Sequence, residues 1–240
     1  MRRERGKAVW RQIEETLSRE IEAGTPPAGD RLPTEFALAE RFAVNRHTVR
    51  RALQALEEAG VVRIEQGRGT FVQEAVIDYA LGARTRFSEN LTRGGLRPGG
   101  TLLEAGPVAA PADVARTLEL PRGAPVLHLR ILGQADGRRI SVADDYYPLP
   151  RFEGLDVLYR ETASVSRAMA GLGVADFRRR TTRVTARMPG RGDARILEQP
   201  HNRPVLVTEA VNVDRAGTPV EYGLTRWASD WVQLVVESDG

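Results

Sequence analysis

Between Arg41 and Gln54 the chain carries Arg41, Arg46, His47, Arg50 and Arg51 and not one Asp or Glu. Such a run suits contact with a polyanion. Phosphates and guanine edges repel carboxylates, Arg reads guanine bidentately, and Thr or His makes smaller base or phosphate contacts. On a helix, Arg46 and Arg50 are i,i+4 neighbours, opposite a core face of Val49 and Leu53. A solvated basic face without a partner would have the same composition, so the flanking elements decide. Thr34 caps a short helix whose buried face is Leu38, Ala39 and Phe42. Ala43-Val44-Asn45 forms a tight turn, and Asn45 caps the next helix. That helix carries Val49, Ala52, Leu53 and Leu56 and stops at Gly60. Val61–Ile64 and Thr70–Val72 alternate as two strands around Gln66-Gly67-Arg68-Gly69. The order is that of a winged helix-turn-helix, and double-stranded DNA is the expected partner.

The rest of the chain must hold this unit and supply whatever governs it. Its 240 residues suffice for two domains, and 41% hydrophobic with 28% charged residues describes a globular protein. There is no apolar run of about 18 residues and no apolar core in MRRERGKAVW, so neither a membrane span nor a signal peptide is expected. The absence of cysteine excludes disulfides, thiolate zinc and a cysteine nucleophile. A cytoplasmic location follows as the expectation. The net charge is only +3, so attraction to DNA must come from local clusters.

A first helix is expected from Lys7 to Glu22, with Trp10, Ile13, Leu17 and Ile21 as its stripe. Residues 1–74 then form the DNA-binding domain, 75–83 a linker, and 84–240 a second domain. In the latter, helices are expected at Ala112–Leu118 and Thr162–Leu172. Strands are expected at Val126–Leu132, Arg138–Tyr147, Arg178–Met188, Val205–Val213, Val220–Arg226 and Val232–Glu237, the last closing the sheet. The fold class is α+β with a mixed antiparallel sheet.

Several residues of this domain suit an anion. In Arg84-Thr85-Arg86-Phe87-Ser88-Glu89-Asn90-Leu91, a helix starting at Ser88 would offer its hydroxyl and free N–H groups. Ser88 could equally be a simple cap with Phe87 as a hydrophobic staple. On the strand Val126–Leu132, Leu127, Leu129 and Ile131 share one face, His128 and Arg130 the other. Arg130 in an apolar run needs either a polar cavity or an ion pair with Asp144, Asp145 or Glu221. Thr181, Arg183, Thr185 and Arg187 line one strand face that reads as solvated. Tyr222 and Arg226 share a face, with Glu221 on the other.

The N-terminal unit resembles the GntR family of bacterial transcription regulators, and the chain as a whole resembles its HutC subfamily. Asn45–Ala52, Arg84–Leu91, Leu127-His128-Leu129-Arg130 and Thr182–Arg187 are similar to PhnF-type regulators of phosphonate metabolism. The resemblance implies a chorismate-lyase-like (UTRA) second domain that binds an effector. It implies DNA contacts at Thr34, Arg46, His47, Thr48, Arg50, Arg51, Gln66, Gly67 and Arg68. It favours a cavity-facing Arg130 and an effector set of Arg86, Ser88, Asn90, Arg130, Asp145, Tyr146, Arg183, Tyr222 and Arg226. One position departs: where many members have Arg, this chain has Phe36, which can donate no hydrogen bond to DNA.

Catalysis is not expected. His47, His128 and His201 lack metal-ligand spacing, no phosphate-binding loop is present, and no Ser lies in a nucleophile elbow. The expectation is a homodimeric repressor of an inverted-repeat operator, with no cofactor or metal. A small anionic effector, a phosphonate or phosphate ester, would release it. Two alternatives stay open: a regulator of amino sugar or amino acid catabolism, and a DNA-binding protein whose second domain only dimerises.

Overall fold

The computed structural model describes residues 8–73 and 76–236. The chain forms two compact units divided after residue 75. The expected helix start at Lys7, the boundary at residue 74 and the strand end at Glu237 lie outside the described residues.

The first unit contains α1 (Val9–Glu22), α2 (Glu35–Phe42), α3 (Arg46–Glu58), β1 (Val62–Glu65) and β2 (Gly69–Val72). Its core joins Ile13 and Leu17 of α1 to Leu38 and Phe42 of α2, Val49, Leu53 and Leu56 of α3, and Val62 and Val72 of the hairpin. Local chemistry sets the breaks. Thr34 Oγ1 accepts from the Ala37 N–H at 3.2 Å, opening α2. Ala43 closes it in the left-handed region (φ 51°). Asn45 Oδ1 then accepts from the Thr48 N–H at 2.9 Å and starts α3. The hairpin is antiparallel, Val62 opposite Val72 and Glu65 opposite Gly69. Arg31 adds a bridge to Phe71.

The second unit opens with β3 (Ile77–Ala80) and α4 (Phe87–Arg93), followed by β4 (Pro98–Ala109) and α5 (Ala112–Thr117). Next come β5 (Pro125–Ala135), β6 (Arg138–Pro148), α6 (Leu155–Thr162) and α7 (Val165–Gly171). The unit ends with β7 (Phe177–Arg187), α8 (Arg191–Ile196), β8 (Val205–Asp214), β9 (Pro219–Ala228) and β10 (Val232–Val235). Six strands make one antiparallel sheet in the order β4-β5-β6-β9-β8-β7. Both faces are covered. Leu127 and Leu129 pack with Tyr147, Phe152, Leu155 and Met169 on the side of α6 and α7. Val126, Val211 and Val213 pack with Val114 and Leu118 of α5 on the reverse. Leu132, Val142 and Val207 meet Leu197 beside α8 there too.

The structure differs from expectation at five places. Residues 77–80 are not linker, because β3 pairs in parallel with β10, Tyr79 opposite Leu234. For the same reason β10 does not close the main sheet. β4 was not anticipated, since Pro98-Gly99-Gly100 reads as a turn; Gly100 is needed there because a Cβ would strike the Tyr159 hydroxyl. The single helix expected at Thr162–Leu172 is two. α6 ends at Ala163 (φ 49°), and Ser164 caps α7. α8 was also missed, being one and a half turns rich in Gly and Arg.

The Asn45 cap predicts its own test. Asn45→Ala should destabilise the start of α3 by about 1 kcal/mol. Faster amide hydrogen exchange over residues 48–50, with the second unit unchanged, is the expected readout.

Candidate nucleic-acid interface and effector cavity

In α3 the core face of Val49, Ala52, Leu53 and Leu56 is buried, which leaves Arg46, His47 and Arg50 exposed. Glu35, the first residue of α2, arranges the two arginines. Its Oε1 accepts from Arg50 Nε at 3.1 Å and its Oε2 from Arg50 Nη2 at 2.8 Å. Arg46 Nη2 reaches the same Oε2 at 3.4 Å. The hydrogen bond from Arg50 is the largest influence on the Glu35 carboxyl and holds it below the usual carboxylate range, burial opposing. A carboxyl lowered by folding keeps its ion pairs above its unfolded value of 4.5 and loses them only as pH falls through the lower folded value. The arginines are therefore held at neutral pH.

The other expected DNA residues divide. Thr34 is exposed but its hydroxyl caps α2. The Thr48 hydroxyl donates to Asn45 Oδ1 at 2.9 Å, so it too is tied into a cap. Gln66, Gly67 and Arg68 form the exposed hairpin tip, where Gly67 has φ 77° and Arg68 pairs with Glu65. Arg51 turns the other way, its guanidinium lying 4.6 Å from the Trp10 ring centroid on α1. It braces α1 against α3 and does not share the face of Arg46 and Arg50. Phe36 is 62% exposed beside Glu35, an apolar side chain on the same surface.

The second unit contains a cavity of about 130 Å³ on the α6/α7 face of its sheet. Its lining includes Arg86 and Ser88, Asp145 of β6, Arg179 of β7, Asn212 of β8 and Glu221 of β9. Register explains the arrangement. Asp145 stands opposite Leu129 on one side and Gly223 on the other, and Asn212 stands opposite Glu221. A Cβ on Gly223 would come within 2.8 Å of Asp145 Oδ1, so glycine there leaves room for the carboxylate. Glu221 accepts from the Tyr147 hydroxyl at 2.9 Å and from Asn212 Nδ2. Burial pushes the Asp145 carboxyl well above its usual value, with Glu221 and Asp144 adding to the rise. Arg86 lies 3.5 Å from the Phe177 ring centroid and donates to the Phe177 carbonyl; burial lowers its pKa.

Of the expected effector residues, Arg86, Ser88 and Asp145 meet at this cavity. Ser88 is the second residue of α4 and not its cap, which is Arg86. Asn90 clips α4 to β3, donating to the Ala80 carbonyl at 2.7 Å. Arg130, Tyr146, Tyr222 and Arg226 do not join them. They project from the reverse face, one residue out of phase with Asp145 and Glu221. There Arg130 donates to Asp193 at 2.6 Å, and Arg226 pairs with Asp144 at 2.6 Å and Asp193 at 3.3 Å. His128 contacts Asp144 at 2.8 Å and stacks on Tyr146. This network fastens α8 to the sheet. Arg183 lies exposed on the edge strand β7, opposite Glu209. Arg179 and Asn212 were missed. Their signal was strand parity carried across the register, which a single chain does not display.

With both sites described, the chain can be set beside known proteins. Residues 10–72 match the pattern of bacterial regulatory proteins of the gntR family, and residues 93–233 match the UTRA domain. The chain belongs to the gntR family of regulators with a UTRA domain. It is 40% identical to the uncharacterized HTH-type transcriptional regulator RB1450 of Rhizobium meliloti, over 98% of this chain and 97% of that one. It is 29% identical to the HTH-type transcriptional repressor PhnF of Mycolicibacterium smegmatis, over 84% and 82%. The crystal structure of PhnF from Mycobacterium smegmatis superposes with a TM-score of 0.64 at 26% identity, covering 95% of this chain and 99% of that one. The regulator is thus a DNA-binding transcription factor with a small-molecule effector domain, not an enzyme. No helix among its described residues is long and apolar enough to cross a membrane.

Glu35 holds Arg46 and Arg50 together on the exposed face of α3, which yields a second prediction. Glu35→Gln should tighten binding to a random duplex by about two- to fivefold, as expected for an exposed pair. The ratio of operator to random affinity should fall, because Arg46 and Arg50 lose their common anchor. Paired titrations on the two duplexes check both effects.

Proposed function

We propose that this regulator is a homodimeric repressor whose operator is an inverted repeat. Each protomer lays the first turns of α3 in a major groove, with the Gln66–Arg68 tip on the flanking backbone or minor groove. The observation that carries this reading is the exposed Arg46/Arg50 pair, fixed by Glu35 on a helix with no acid in its first three turns. Bound over a promoter, the dimer represses by occlusion. The repressor named among its relatives supports this sign of regulation.

The effector is a small ligand bearing a phosphonate or phosphate ester, held in the cavity of the second unit near Arg86, Ser88 and Arg179. It releases the operator by binding better to a protomer arrangement whose recognition helices miss the half-site spacing. Differential affinity of this kind is typically about 1–3 kcal/mol. The alternative of a purely dimerising second domain is weakened by a cavity lined with buried charge. Arg130, Tyr146, Arg183, Tyr222 and Arg226 are left out of the proposed contact set, because strand alternation or edge position takes them off the cavity face.

An operator shift assay on the promoter region beside the regulator's own gene tests the scheme. The expected result is a shifted band relieved by a phosphonate or phosphate ester. A band that no such anion disturbs contradicts the effector assignment. Arg46→Ala should cost about 1–3 kcal/mol of specific binding, and unchanged operator affinity would remove α3 from the groove. Ser88→Ala should leave operator affinity intact and raise the ligand concentration needed for release.

A further inference from the structure

The cavity holds more charge than an anion alone requires. Asp145 is 7% exposed, and neither a hydrogen bond nor an ion pair reaches its carboxylate from the described residues. The Oδ1 of Asn212, which stands on β8 between Arg179 and Glu221, is buried without a donor. On β7, the Nε of Arg179 is buried without an acceptor, and no ion pair holds its guanidinium. Buried groups left in this condition are costly and are normally paired. Arg179 acts on Asp145 only through space, with no hydrogen bond or ion pair between them. In the order β6-β9-β8-β7 they sit three strand spacings apart, which is ~14 Å of backbone separation at ~4.8 Å each.

We propose that the effector is a small zwitterion, with an ammonium seated at Asp145 and an oxyacid group seated at Arg179, Arg86 and Ser88. This deepens the preceding reading, on which it rests for the acid end. Glu221, the other buried carboxylate of the cavity, is already satisfied, accepting from Asn212 Nδ2 and from the Tyr147 hydroxyl. Gly223 leaves the Asp145 carboxylate its room. The size agrees. A cavity of ~150 Å³ accommodates benzene, so about 130 Å³ suits a ligand with an ammonium and an acid group a few bonds apart.

The test is calorimetric titration of the full-length protein with 2-aminoethylphosphonate, ethylphosphonate and β-alanine. The proposal expects 2-aminoethylphosphonate to bind at least tenfold more tightly than ethylphosphonate. It expects Asp145→Asn to erase that difference by weakening only the amino compound. Asp145→Ser, which keeps a smaller neutral polar group, should narrow the difference in the same direction and serves if Asp145→Asn folds poorly. Equal binding of the two phosphonates, or discrimination that survives Asp145→Asn, overturns the ammonium site and leaves the anionic effector standing. Binding of β-alanine in preference to both phosphonates supports the zwitterion and overturns the phosphonate assignment. Binding of none of the three overturns both.

Discussion

Successive residues of a strand point to opposite faces of its sheet, and in the second unit every assignment depends on that period. Both faces are covered by helices, so each strand carries apolar and polar side chains on both sides. The row Leu129, Asp145, Gly223 and Ala210 faces the cavity side. One residue further along, Arg130, Asp144, Leu224 and Glu209 form the parallel row on the reverse. A slip of one position would exchange the cavity lining for a structural ion network. The same backbone thereby supports two different uses of buried charge. On the reverse, Arg130, Arg226, Asp144 and Asp193 pair with one another and bind α8 to the sheet, with Arg130 Nε left without an acceptor. In the cavity, Asp145 and Arg179 are kept apart by the width of two intervening strands.

The first unit handles charge at its surface. With a net charge of only +3 on the whole chain, attraction to a duplex must be local. Arg46 and Arg50 are concentrated on one face, and Glu35 fixes them against the wandering of long side chains. Other arginines of the same segment serve the fold. Arg51 packs over Trp10, and Arg41 donates to Glu20 at 2.9 Å, each joining α1 to another helix. Phe36, beside Glu35, adds an exposed apolar side chain to α2.

Legibility followed the range of the interactions involved. Thr34, Asn45, Gly60 and the Gln66–Gly69 tip act on their immediate neighbours, and the winged helix-turn-helix was readable from them. The strands of the main sheet were readable where alternation was clean, as in β5, β6 and β9. β4 was hidden because its glycines answer to Tyr159 and Gln134, far away in sequence. The β3/β10 pair was hidden because it joins segments some 150 residues apart. The cavity lining was half legible for the same reason. Arg86 and Ser88 stood out in the segment Arg84–Leu91, and Asp145 entered through the family resemblance. Arg130 and Arg226 were drawn in by the same chemistry, because a buried arginine looks alike whether a ligand or an aspartate satisfies it. Arg179 and Asn212 could be reached only through cross-strand register, which the chain reveals on folding.

The central claim is that the ligand sits on the Asp145–Gly223 face of the sheet and bridges its opposite charges. A crystal structure of the protein grown with 2-aminoethylphosphonate tests it most directly. The account predicts density between Asp145 and Arg179, with the nitrogen at Asp145 and the acid at Arg179. Density against Arg130 and Arg226 on the reverse face, with the Asp193 pairs broken, would contradict it.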